Sequence, residues 1–153
     1  MKKFVCFLGV ITICFLILQN NYVPVNNFAN GYSGTYYFYT SEDFCSDFTT
    51  TVSNGNEYIV SCDIDMANFV YNILNNNCIR GESFQFTKVG DRDLEKLIIK
   101  LGIQYFSKND DEILGYSSIV PYSVKLDNNI FNVQIAETNS QITIGFPMIL
   151  GSF

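Results

Sequence analysis

The sequence predicts an α+β fold: an antiparallel twisted sheet with two helices packed on one face, preceded by an N-terminal hydrophobic helix. Three observations predict it. Two apolar stripes recur at helical spacing, Met66, Val70, Ile73 and Leu74 in one and Leu94, Leu97, Ile98 and Leu101 in the other. The pair Asn54-Gly55 separates two β-rich runs, as in a hairpin. Everything after Gly102 reads as strand.

The N-terminal helix comes first. Lys2 and Lys3 precede Phe4 to Leu18, 15 residues without a charge. This is the n-region and h-region of an export signal. As a helix it would cover roughly 22 Å, short of the ~30 Å hydrocarbon core. No A-x-A-like cleavage site follows, and neither Cys6 nor Cys14 has the small preceding residue that lipid attachment needs. The reading leans to an uncleaved anchor with the two lysines inside. Three parts are expected: a signal sequence or membrane anchor over 1–21, a linker over 22–34 and an α+β extracytoplasmic domain over 35–153. The expected location is extracytoplasmic, anchored or secreted, with the membrane as partner of the N-terminal segment.

Within the domain, TYYFYT at 35–40 is a strand by its aromatic and β-branched content. FTTTV (48–52) and EYIVSC (57–62) form the predicted hairpin. Asp63 is placed to cap the first helix and Asp65 to complement its dipole, and Asn75, Asn76 and Asn77 end it. SFQFTKV (83–89) alternates as a half-buried strand, with Gly81-Glu82 and Gly90-Asp91 marking turns. The second helix runs from Asp91 to Leu101, with Asp91 and Asp93 at its positive end, Lys96 and Lys100 nearer the other, and Gly102 as its stop. The strands IQYF, EILGYS, YSVKLD, FNVQIAE and QITIGFPMIL follow. Phe131, Val133 and Ile135 alternate with Asn132 and Gln134, which predicts one buried face. Ile142, Ile144 and Phe146 are expected to face the core, beside the strand of Val133 and Ile135.

Charge and composition exclude several functions. All fifteen acidic residues lie after Gln19 with seven basic ones, a net −8 for the exported part. Such a field repels phosphate backbones, so nucleic acid is not an expected partner. The chain has no histidine. That removes Ser-His and Cys-His nucleophiles and every His-ligated metal site. Cys45, Cys62 and Cys78 lack metal-site or CxxC spacing and read mainly as free thiols, one disulfide among them remaining open. Asp63-Ile64-Asp65 and Asp110-Asp111-Glu112 offer oxygens but not a calcium loop, and read as a helix cap and a solvated turn. No glycine loop for phosphate appears. No catalytic, metal or cofactor residue is assigned, and no cofactor is expected.

The C-terminal third carries a resemblance. NVQIA (132–136) and ITIGFPMILGSF (142–153), preceded by LGYSSIVPYSV (114–124), resemble the end of the YwmB-like family of exported proteins of Gram-positive bacteria. The resemblance covers about 40 residues and implies a fold similar to the TATA-box-binding protein. It does not carry DNA binding with it.

The expected function is a non-enzymatic accessory or binding module of the bacterial cell envelope, its partner an envelope protein or polymer. Two alternatives remain: a structural or oligomerising envelope protein, and a carboxylate-dependent hydrolase of envelope polymers, for which two facing carboxylates in a cleft would speak. The segment GFPMILGSF reads as a core strand with Pro147 at a bulge or edge. Its functional alternative is an exposed edge, with Phe146, Pro147 and Met148 as candidate partner-binding residues.

Overall fold

The computed structural model describes residues 25–74, 78–90, 92–109, 112–126 and 128–149. The expected export segment, and Asn75 to Asn77, Asp91, Asp110, Asp111 and Asp127, lie outside the described residues.

The strands are β1 (Gly34–Thr40), β2 (Thr50–Asn54), β3 (Glu57–Asp63), β4 (Ile79–Thr87), β5 (Ile103–Asn109), β6 (Glu112–Ser117), β7 (Val124–Leu126), β8 (Asn129–Phe131), β9 (Val133–Glu137) and β10 (Gln141–Phe146). Eight of them form one sheet in the order β2-β3-β1-β4-β10-β9-β6-β5, each neighbouring pair antiparallel. β7 and β8 make a separate two-stranded ribbon. Helix α1 (Ala67–Ile73) follows a 3₁₀ turn over Ile64–Met66, and helix α2 is Asp93–Leu101. The α+β class with a largely antiparallel sheet and two helices is as the sequence predicts.

Strand alternation gathers the core on one face. Tyr36 lies opposite Phe84, Phe84 opposite Ile144, Ile144 opposite Ile135 and Ile135 opposite Ile113, a continuous row across five strands. Each of these side chains is buried. Leu97 and Leu101 of α2 and Ala67 and Val70 of α1 join the same cluster. Burying one such aliphatic or aromatic side chain stabilises by about 2 kcal/mol.

Several local details differ from expectation. Residues 25–32, expected as linker, belong to the domain: Val25, Phe28 and Ala29 are in the core, Tyr32 packs against it, and the turn Val25–Phe28 touches both helices. The hairpin forms, but its loop is Gly55-Asn56, because Asn54 still pairs with Glu57; Gly55 takes φ +67°. That left-handed angle is the one a glycine adopts without cost. Asp63 stands at the predicted cap position yet makes no side-chain cap bond. Asp93 turns backwards, its Oδ2 accepting the N–H groups of Val89 (2.9 Å) and Gly90 (2.8 Å). Those two donors hold its carboxyl below the usual range. Gly102 ends α2 with φ +60°, as predicted. β4 begins at Ile79, so Glu82 is in a strand and not a turn.

Among the described residues the helices cover one face of the sheet and not the other, the outer face.

Candidate functional site

The outer face is built from the residues that alternate away from the core. Thr35, Gln85, Thr143, Ala136 and Glu112 are successive partners across β1, β4, β10, β9 and β6. Tyr37, Ser83, Gly145, Gln134 and Leu114 make the next row. Amides, hydroxyls and small side chains fill most of both rows, which end on Glu112 and Leu114.

The C-terminal segment folds back over the second row. After the cis Phe146–Pro147 bond the main chain of Met148 and Ile149 presses on Gly145, where a Cβ would lie 2.4 Å from Met148 C and Ile149 N. Only a residue without a side chain admits that approach. Ile149 N–H donates to Gln134 Oε1 at 2.7 Å. The Gln134 amide N–H in turn donates to Glu112. Gln134 is therefore buried, and the predicted exposure of the polar partners in 131–135 fails there. It fails at Asn132 too, whose amide bridges Ser117 N, Ser117 O and Val120 O at 2.7, 2.7 and 3.3 Å. The side chain substitutes for a missing ladder partner, since a buried amide must be bonded.

Among the described residues the first row is partly exposed, apart from Thr143, which is buried. It floors a concavity of about 760 Å³ lined by Gln85, Lys88, Glu112, Gln134, Ala136, Glu137, Thr138, Asn139, Gln141 and Thr143. Gln85 Nε2 donates to Thr143 Oγ1 at 3.2 Å, and Lys88 pairs with Glu137 at 2.5 Å. The groove has the size of a ligand site, and most residues along it are of polar type. A second, smaller hollow of about 420 Å³ lies between the 47–50 segment and β3, near Thr35, Ser61 and Met66.

The candidate residues of the C-terminal segment are dispersed. β10 lies between β4 and β9, so it is not an exposed edge; the edges are β2 and β5. Phe146 is fully buried against Phe84, 6.1 Å between ring centroids, and its side chain presents no surface to a partner. Pro147 and Met148 are half-buried, Pro147 beside Gly81 and Met148 over Gly145.

A different polar cluster lies inside the core. Glu82 faces inward from β4, between Phe38 and Phe146, and is 1% exposed. Tyr36 donates to its Oε2 at 2.6 Å and Tyr122 to its Oε1 at 2.7 Å. Burial pushes the Glu82 carboxyl up, and the two phenol hydrogen bonds oppose that shift. Burial and the carboxyl together push Tyr36 and Tyr122 well above the usual phenol range. A carboxyl held this way could move a proton. Neither of the two concavities described above includes it among its lining residues, and its two phenol bonds tie Tyr122 to β1 and β4. Extending the FQF alternation backwards by one period places Glu82 on the Phe84 face, the signal that would have found it.

Among the described residues no three thiols or carboxylates gather to hold a metal ion. Cys62 is a buried free thiol and Cys45 an exposed one, and Cys78 is a buried cysteine. Burial pushes the Cys62 thiol up to about 12. Glu112 and Glu137 both line the groove, Glu112 accepting from the Gln134 amide and Glu137 from Lys88.

Comparison with protein-family models, with curated proteins and with solved structures finds no match.

Proposed function

We propose that the chain is an exported or membrane-anchored, non-enzymatic module of a bacterial cell envelope, related to the YwmB-like proteins, that binds a polar ligand on the open outer face of its sheet. One observation carries the binding site: a sheet face that no described helix covers, with a groove of about 760 Å³ lined mainly by Gln, Asn, Thr and Glu side chains together with Lys88 and Ala136. Export rests on the lysine pair and the uncharged run of residues 4–18. The net −8 after Gln19 favours neutral or basic ligands over phosphate-rich ones.

The test uses the full chain in detergent as bait for solubilised envelope material, beside Ala136→Arg, which fills the groove from its floor. Wild type is expected to retain an envelope component that Ala136→Arg loses. Equal retention by both proteins, or by neither, would refute the reading. A reporter fused after Phe153 is expected to report the outer side of the membrane; cytoplasmic activity would remove the export half of the proposal.

A further inference from the structure

We propose that the open strip of the outer face docks an extended, basic stretch of polypeptide, an inference that rests on the binding reading above and names its ligand class. Residues 148 and 149 demonstrate how this surface takes a main chain. Met148 and Ile149 lie directly on the sheet over Gly145, and the Gln134 carboxamide accepts a peptide N–H at 2.7 Å in place of a backbone carbonyl. The neighbouring row repeats these ingredients. Gln85 supplies a carboxamide, Thr143 a hydroxyl and Ala136 a low floor, and Glu112 stands at the far end. From Gln85 to Glu112 the row crosses three strand spacings, roughly 14 Å, the length of about four extended residues.

Charge selects the kind of peptide. Lys88 is neutralised by Glu137 at 2.5 Å, which leaves Glu112 as the net charge of the groove. The surrounding net −8 adds attraction for a cationic segment at long range. A side-chain amide with both a donor and an acceptor serves the alternating N–H and C=O of a main chain.

The experiment uses the full chain in detergent micelles and labelled Gly/Ser/Thr octapeptides, one bearing three lysines and one bearing three glutamates, with an N-acetylglucosamine hexamer as glycan probe. The lysine peptide is expected to bind at least tenfold more tightly than the glutamate peptide. Glu112→Gln should weaken it severalfold and Ala136→Arg abolish it, with thermal melts checking each fold. Should Ala136→Arg unfold, Gln141→Arg on the exposed rim replaces it. No binding of the lysine peptide, equal binding of the two peptides, or binding indifferent to these substitutions overturns the inference. If the glycan alone binds and Ala136→Arg removes it, the peptide ligand is wrong while the binding module stands. The envelope pull-down decides that module independently of any peptide.

Discussion

Glu82 is a carboxylic acid buried in the core, and it makes a pH prediction. Its folded-state carboxyl titrates above the ordinary glutamate value, because burial outweighs the two phenol donors. The folded chain therefore holds this proton to higher pH than the unfolded chain does. Stability from this group is fully present at low pH and falls as pH rises from the ordinary glutamate value through the raised one. Glu82→Gln removes the titration and should flatten that fall, measured as melting temperature between pH 5 and 8. Identical slopes for the two proteins would contradict it. Gly145 makes a second prediction. An added methyl meets backbone, not a flexible side-chain end, so Gly145→Ala should lift residues 148–149 from the sheet at a cost of about 1–3 kcal/mol. Denaturant titration measures the cost, and loss of protection at the Ile149 amide locates it. An unchanged Ile149 amide would contradict the strap geometry.

Elements were legible where their signals are local. The Asn54-Gly55 pair located the hairpin, and the Leu94 to Leu101 stripe with Gly102 located α2 to within two residues. What was not legible depends on segments far away in the chain. Gln134 is buried by residue 149 and Asn132 by the 117–120 segment, so their polarity misled a reading based on alternation alone. Val25, Phe28, Ala29 and Tyr32 recur at spacings of three and four, a signal hidden by the polar residues between them. The groove itself needed the strand order, which brings β4, β10, β9 and β6 side by side. β10 tests this architecture. Ile144 has no exposed surface, and an aspartate there would bury an unpaired charge and unfold the domain. Thr143 points to the groove, and Thr143→Asp should cost roughly 1–2 kcal/mol. Equal damage from both substitutions, by thermal melt, would mean that β10 is enclosed on both faces.

At the scale of the whole molecule, the asymmetry between the two sheet faces organises the account. One face is closed by α1, α2 and the turn Val25–Phe28, leaving Ile99 of α2 at 79% exposure on the far side of that layer. The other carries a polar groove beside the strap of residues 147–149. The most direct test of the claim that ligand binds there is photo-crosslinking in living cells from one exposed position on each side. Asn139, on the groove lip, should yield an adduct with an envelope component, and Ile99 should yield none. Adducts of equal yield from both positions, or from Ile99 alone, would contradict the account.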